Sequence, residues 1–125
     1  MANKFATVIS CMDGRIKDPV QMWFKIRKGY DFVDVITEAG PLKYLFSEDQ
    51  MVTENLKNNA QISVEAHGSD YIVVSGHHDC AGNPFPREDQ IVQIHKSVEI
   101  IRGWGFPVKV GGIYVNDMWA VEEII

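Results

Sequence analysis

Apolar residues recur along this chain at two spacings, one typical of β-strands and the other typical of α-helices. Short runs rich in β-branched residues predict four strands, at residues 4–10, 31–37, 70–76 and 107–116. Apolar residues three or four positions apart predict three helices, at residues 18–29, 47–67 and 88–102. Two segments are open to two interpretations each: residues 38–46 form a loop or a short helical turn, and residues 118–125 form an edge strand or a short terminal helix.

The ends of these helices carry residues typical of helix caps. Asp18 is expected to cap the first helix, with Pro19 at its first position and Gly29 at its exit. Ser47 and Gln50 are spaced as in a capping box, which would begin the second helix. These signals separate the elements and support an alternation of strands with helices.

Strands that alternate with helices predict an α/β fold, a three-layer sandwich with a mostly parallel central sheet of four to five strands. The uninterrupted apolar run within residues 70–76 indicates a strand that is buried on both faces of this sheet. A length of 125 residues fits a single domain over residues 1–125. In such sheets, ligands bind beyond the carboxyl ends of the strands, so the chemistry is expected in the residues that follow the strands.

Composition narrows the classes of protein to which the chain can belong. Apolar residues make up 46% and charged residues 23% of the sequence, as in ordinary globular proteins. The net charge of −5 argues against a nucleic acid partner, because phosphate contacts require a basic surface. No apolar run reaches the roughly 18 residues of a membrane helix, and the first ten residues lack the apolar core of a signal peptide. We therefore expect a cytoplasmic protein that binds neither membranes nor nucleic acids.

Two of the predicted strand ends carry residues suited to binding a metal ion. Cys11 directly follows the first strand, and His77 and Cys80 follow the third. Structural disulfides are rare in a reducing compartment, so the two cysteines are metal ligands, catalytic thiols or small buried side chains. Zinc takes thiolate and imidazole ligands, and a catalytic zinc site keeps one position open. If the two strands are neighbours, Cys11, Cys80 and one histidine would supply three ligands.

Asp13 and Arg15 follow Cys11 closely and add a charged pair to this predicted site. Arg15 has the geometry to form a bidentate pair with Asp13. Bound to the metal, Asp13 would fill the fourth position and close the site. Drawn toward Arg15, it would leave that position to water, and the residues alone leave both arrangements open.

The stretches CMDGR and HHDC resemble the beta-class carbonic anhydrase pattern Cys-x-Asp-x-Arg followed by His-x-x-Cys. The resemblance implies one zinc ion per chain, bound by Cys11, His77 and Cys80. It also implies that Asp13 and Arg15 form a catalytic dyad, within a fold that has a mostly parallel sheet. The implied reaction is the reversible hydration of carbon dioxide to bicarbonate by zinc-bound hydroxide. The resemblance further implies a homodimer or a higher homo-oligomer.

Other parts of the sequence depart from that family's pattern, so two alternative functions stay open. The family's Arg-Asn-Ala-Gly-Asn stretch is reduced here to residues 37–41, and the glutamine that precedes its first motif has no counterpart. One alternative is a non-catalytic zinc-binding module of the same fold, with Asp13 on the metal. The other is a hydrolase of a related small electrophile, such as carbonyl sulfide or carbon disulfide.

Overall fold

A five-stranded sheet lies at the centre of the molecule in the computed structural model, which describes residues 3–125. Its strands are β1 (Phe5–Cys11), β2 (Phe32–Glu38), β3 (Tyr71–His77), β4 (Lys109–Val115) and β5 (Val121–Glu123). They lie in the order β2-β1-β3-β4-β5; β1 to β4 are parallel to one another, and β5 runs antiparallel to β4. The predicted mostly parallel sheet is confirmed, and the last segment of the chain contributes an edge strand.

Helices cover both faces of this sheet. They are α1 (Lys17–Met22), which continues as a π-helical turn (Trp23–Arg27), and α2 (Pro41–Ser47), α3 (Gln50–His67) and α4 (Arg87–Arg102). Side chains of α1 and the π-helical turn pack on one face, and those of α2, α3 and α4 pack on the other. The arrangement is the predicted three-layer sandwich. Within residues 3–125, no helix combines the length and the apolar character needed to span a bilayer.

The strand β3 is buried along its whole length, as its apolar sequence predicts. Tyr71 and Val73 pack in the core on the α1 side, whereas Ile72 and Val74 pack on the opposite side. This alternation follows from the two-residue period of a strand. Pairing with β1 and β4 sets the register of β3, and so fixes where its carboxyl end at His77 lies relative to the other strands.

The first helix begins earlier than its capping signals predict. It starts at Lys17, so Asp18 is not its N-cap and Pro19 is not its first residue. Pro19 still lies in the first turn, where a missing backbone N–H removes no helical hydrogen bond. Gly29, with a φ of 75°, forms the left-handed exit that was expected of it.

The second predicted helix, at residues 47–67, corresponds to α3, and the segment 38–46 contains the short helix α2, in line with one of its two interpretations. Ser47 ends α2, and its hydroxyl donates a hydrogen bond to the carbonyl of Lys43 at 2.7 Å. Asp49 is the N-cap of α3 and accepts a hydrogen bond from the N–H of Val52 at 3.1 Å. The predicted capping box of Ser47 with Gln50 is wrong, because the carboxylate of Asp49 takes the place of the cap.

The sheet opens at its carboxyl edge between β1 and β3. These neighbours pair over a short stretch, from Thr7 opposite Ile72 to Ile9 opposite Val74. On its other side, β3 stays paired with β4 as far as His77. β2 pairs with one side of β1, and β3 pairs with the other side. The strand order therefore reverses at β1, and the opening lies at this point. Such a point is the usual ligand site of parallel sheets.

Candidate metal site

Three side chains with metal-binding atoms converge at this opening. Cys11 is the last residue of β1, His77 is the last residue of β3, and Cys80 lies three residues further along. One donor atom from each lies within 4.8 Å of the other two, and the sulfur atoms of Cys11 and Cys80 are 3.9 Å apart. Two thiolates on one tetrahedral zinc ion, each at about 2.3 Å, are separated by about 3.8 Å. The observed sulfur separation is therefore close to the one that a shared ion requires.

The two ring nitrogens of His77 have different surroundings. Nδ1 lies 2.7 Å from the carbonyl oxygen of His78 and donates its proton to it, which leaves Nε2 as the acceptor nitrogen. The residue is 1% exposed, and Nε2 has no hydrogen-bond partner among the described residues. Burial also lowers the pKa of His77, which favours the neutral ring that binds metals. A buried acceptor without a partner is costly, and a cation at its lone pair would remove that cost.

The two cysteines are free, and both are buried. Burial raises the pKa of the Cys80 thiol to about 11, and the neighbouring Cys11 adds to the effect. In the metal-free protein this thiol therefore keeps its proton at neutral pH. A divalent cation would reverse the preference, because its charge stabilises the thiolate and displaces the proton. Two thiols and one imidazole nitrogen thus fit a thiophilic divalent ion such as zinc.

Gln90 of α4 holds the backbone of His77 in place. Its Oε1 accepts a hydrogen bond from the N–H of His77 at 3.1 Å, and its Nε2 donates to the carbonyls of His77 at 2.8 Å and Phe85 at 3.0 Å. The side-chain amide of Gln90 takes the place of backbone hydrogen bonds with β1, because the pairing of β1 with β3 ends before it reaches His77. Gln90 is not among the residues predicted from the sequence. The sequence gives one indication of its role, because Gln90 lies four residues before Ile94 and therefore on the same, buried face of α4.

Two glycines set the distance between the loop that carries Cys80 and the loop between β2 and α2. A Cβ atom added to Gly82 would lie 2.6 Å from the backbone of Ala39, and one added to Gly40 would lie 2.6 Å from the backbone of Gly82. Gly40 also has a φ of 67°, in the left-handed region that side chains disfavour. A side chain at either glycine would push the two loops apart and shift Cys80.

Asp13 and Arg15 form the ion pair expected from their spacing. Arg15 donates to the carboxylate oxygens through its backbone N–H at 2.9 Å, its Nε at 3.1 Å and its Nη2 at 2.7 Å. The hydrogen bonds from the Arg15 side chain lower the pKa of Asp13 to about 2, so the carboxylate is ionised at neutral pH. Within the described part of the chain, Asp13 is not a member of the group formed by Cys11, His77 and Cys80. Asp13 is turned to Arg15, one of the two arrangements that its sequence position allows.

An apolar cavity of about 200 Å³ borders the site. Its wall includes Cys11 and Asp13, and most of the remaining surface comes from apolar side chains such as Ile16, Val20 and Val35. A larger groove of about 650 Å³ elsewhere on the surface is lined by none of the five predicted site residues. A molecule that reaches Asp13 would therefore occupy the smaller cavity, whose size and lining suit a small compound of low polarity.

Comparison with known proteins gives the site its context. The sequence matches, over residues 1–125, a protein family described as "Putative carbonic anhydrase". The fold is similar to that in the crystal structure of beta-carbonic anhydrase isoform I from the protozoan Trichomonas vaginalis, with a TM-score of 0.65 and 17% sequence identity. The likeness covers 100% of this chain and 86% of that chain, and at this identity it shows the fold alone. No curated protein sequence matches the chain. The family match, by contrast, extends over every residue, and the chain therefore belongs to the family described in those words.

Proposed function

We propose that this protein is a zinc-dependent enzyme that catalyses the reversible hydration of carbon dioxide to bicarbonate. The observation that carries the proposal is the meeting of two buried thiols and one unpaired imidazole nitrogen beside an ionised carboxylate held by an arginine. Zinc uses such nitrogen and sulfur donors, and a catalytic zinc ion keeps a fourth position free. Membership of the family and the shared fold support the same reaction.

One zinc ion per chain would be held by the sulfur atoms of Cys11 and Cys80 and by Nε2 of His77. Bound there, zinc would acidify a water molecule and so supply a hydroxide nucleophile near neutral pH. The hydrogen bond from Nδ1 of His77 to the His78 carbonyl keeps the ring in the orientation and tautomer that ligation needs. Gln90 fixes the backbone of the same histidine, which preserves the position of its ring.

Asp13 orients the attacking oxygen in this proposal. Its low pKa keeps the carboxylate ionised, so it acts as a hydrogen-bond acceptor across the neutral pH range. By accepting a hydrogen bond from the nucleophile, Asp13 would turn the free lone pair of that oxygen toward the carbon of carbon dioxide. Arg15 holds the carboxylate through two side-chain nitrogens and its own backbone N–H, so the acceptor stays in one place.

The apolar cavity beside Asp13 suits carbon dioxide, which is small, linear and uncharged. With a volume of about 200 Å³ and a mainly apolar wall, the cavity admits such a molecule without desolvating a charge. Bicarbonate is an anion, which an apolar wall binds poorly, so release of the product toward water is favoured. Carbonyl sulfide and carbon disulfide are also small and linear, and the cavity accommodates them as substrates of the alternative hydrolase.

The non-catalytic alternative requires Asp13 on the metal. Both oxygens of Asp13 instead accept hydrogen bonds from the side chain of Arg15. An acceptor occupied in this way leaves a fourth position to water, which supports the catalytic proposal over the non-catalytic one.

We further propose that the protein is cytoplasmic and forms a homodimer or a larger homo-oligomer. Free thiols that serve as metal ligands suit a reducing compartment. β2 is an edge strand that exposes the apolar side chains of Phe32 and Val35, one on each face of the sheet, and a second copy could cover such an edge. Sedimentation of the purified protein tests the assembly, and a species of single-chain mass at all concentrations would count against it.

Metal analysis together with stopped-flow carbon dioxide hydration tests the proposed reaction. We expect one zinc ion per chain and a hydration rate above that of buffer, with carbonyl sulfide and carbon disulfide assayed in parallel. Asp13→Ala should keep its zinc and lose turnover, because only the orienting acceptor is removed. Glu54→Ala, which removes an exposed carboxylate of α3, is the matched control and should change neither measurement.

The metal ligands are tested separately from turnover. Cys80→Ser should lose zinc, because a serine hydroxyl is a poor replacement for a thiolate. Full zinc content in Cys80→Ser would refute the ligand assignment. Zinc-loaded wild-type protein without hydration activity at any pH from about 7 to 9, where zinc-activated water is deprotonated, would refute the enzymatic proposal.

A further inference from the structure

Arg15 is held by more than the carboxylate of Asp13. Its Nη1 donates to Oδ2 of Asp79 at 3.2 Å, and its Nη2 donates to the backbone carbonyl of Asp79 at 3.1 Å. The guanidinium also lies over the Trp119 ring, with its central carbon 4.6 Å from the ring centre. Residues from three separate loops therefore engage the edges and one face of the guanidinium: the β1–α1 loop, the β3–α4 loop and the β4–β5 turn.

The β4–β5 turn is built in a way that fixes Trp119. Oδ1 of Asn116 accepts hydrogen bonds from the N–H groups of Met118 at 2.9 Å and Ala120 at 3.1 Å. The carbonyl of Asn116 accepts another from the N–H of Trp119 at 2.9 Å. Trp119 itself has a φ of 56°, a left-handed conformation that bulky residues seldom adopt. A tryptophan held in that conformation points to a role for its side chain beyond closing the turn.

Besides Asp13, Arg15 contacts Asp79 and Trp119, and water weakens the contact with Trp119 less than the ion pair with Asp79. The side chain of Asp79 is 71% exposed, so solvent and salt screen its attraction for Arg15. The indole is partly buried and excludes water from the face of the guanidinium that it covers. Arg15 nevertheless keeps 47% of its side chain exposed. Without the indole, the hydrogen bonds to Asp13 and Asp79 would remain, but the face of the guanidinium that the ring covers would be open to water, which weakens them.

We propose that Trp119 is a positioning residue, which keeps the Asp13–Arg15 pair turned away from the metal site. Held against the indole, Arg15 occupies both oxygens of Asp13. Released from it, Arg15 would leave the carboxylate free to rotate toward the cation and fill the fourth position. This role rests on the proposed function, because only a metal ion offers Asp13 that alternative partner.

Substitutions of Trp119 separate the aromatic contact from the bulk of the side chain. Trp119→Leu keeps an apolar side chain but removes the ring, so the hold on Arg15 should be lost. Trp119→Phe keeps an aromatic face, so it should stay close to the wild type. Trp104→Leu is the matched control, because Trp104 packs against Phe106 in the core on the opposite face of the sheet.

Two measurements test the role of Trp119, and the first needs no metal. In the metal-free protein, hydrogen exchange at Nε–H of Arg15, followed by NMR, should be about tenfold faster in Trp119→Leu than in the wild type. The second uses cobalt(II) as the probe in the metal site, because its visible absorption depends on the number and type of its ligands. Trp119→Leu should change the cobalt spectrum, and in an Asp13→Asn background the same substitution should change nothing further.

The outcomes are separable. An unchanged exchange rate at Arg15, or an unchanged cobalt spectrum, in Trp119→Leu would overturn the role of Trp119. A spectral change that persists in the Asp13→Asn background would overturn it as well, since the carboxylate would not be its source. Wild-type protein that takes up neither cobalt nor zinc would refute the proposed function itself. The exchange rate at Arg15 is measured without metal, so it tests the contact between Trp119 and Arg15 independently of that result.

Discussion

His77 depends on separate partners for its ring and its main chain. The ring donates through Nδ1 to the adjacent carbonyl of His78, and the backbone N–H and carbonyl both bond to the buried amide of Gln90. Among the described residues, Nε2 is left without a partner. A ligand fixed in this way loses little conformational freedom when it binds a cation, and this preorganisation strengthens binding.

Replacing Gln90 tests that support. Gln90→Leu should weaken zinc binding by about 10–100-fold, the usual effect of removing a group that orients a ligand. It should also destabilise the metal-free fold by about 1–3 kcal/mol, because the buried N–H and carbonyl of His77 lose their partner. Chelator competition measures the affinity, and urea unfolding measures the stability. Gln61→Leu on the exposed surface of α3 is the control, and equal zinc affinity in Gln90→Leu and the wild type would show that the amide serves folding alone.

The sequence predicts the residues that end neighbouring strands better than those that reach the site from elsewhere. Cys11 and His77 converge because parallel neighbours bring their carboxyl ends to one edge, which the alternation of strands and helices already implies. Gln90 reaches the site across the contact between α4 and β3, and Trp119 reaches it from the β4–β5 turn. Both positions depend on how distant segments pack, which no local spacing encodes.

At the level of secondary-structure elements, the site depends on how closely its loops approach one another. The loop that carries Cys80 contacts the β2–α2 loop through backbone atoms, with Gly82 against Ala39 and Gly40. The loop that carries Cys80 is also closed by an internal hydrogen bond, because the N–H of Asn83 donates to the carbonyl of Cys80 at 3.3 Å. A change in the loop-to-loop distance is therefore transmitted to the Cys80 sulfur.

Gly82→Ala should destabilise the protein by about 1–3 kcal/mol, the usual range for overpacking, and should weaken zinc binding. The added Cβ would lie 2.6 Å from the backbone of Ala39, so the Cys80 loop would have to move. Gly14→Ala is the matched control for stability, because a Cβ atom there would meet nothing within 4 Å. Urea unfolding compares the two variants. Equal unfolding free energies would contradict the tight approach of the loops.

The type of each main helix and strand follows from its apolar period, whereas several boundaries do not. Near the end of α1 the chain adopts a π-helical turn, which lets the adjacent residues Trp23 and Phe24 both bury their side chains. The apolar spacing of this segment indicates a helix but carries no signal for the wider turn. The start of α3 is also not fixed by local sequence, because Ser47 and Asp49 are both residue types that cap helices. Asp49 is the cap, since the hydroxyl of Ser47 already bonds to a carbonyl at the end of α2.

In the molecule as a whole, most of the core lies away from the metal site. One apolar cluster fills each side of the sheet, and Cys11 and Cys80 belong to the cluster on the α1 side, at the carboxyl edge of the sheet. A chain of 125 residues buries roughly two-thirds of the surface of its unfolded state, which is enough for a stable fold without a metal. We therefore expect the metal-free protein to remain folded.

Removal of zinc should then lower the melting temperature rather than unfold the protein, by an amount that grows with pH. Zinc has to displace the proton of the Cys80 thiol, whose pKa is about 11, so binding strengthens as the pH rises. In the metal-free protein the raised pKa stabilises the fold below the ordinary thiol value of 9.0, and this contribution is lost as the pH climbs toward 11. Both effects increase the difference in melting temperature between the zinc-loaded and chelator-treated protein, the first from about pH 6 upward and the second above about pH 9.

Calorimetry of the two forms across this range measures the difference, with Cys80→Ser as the control that should show no response to zinc. A difference that stays constant with pH would mean that no buried thiol proton is released when the ion binds.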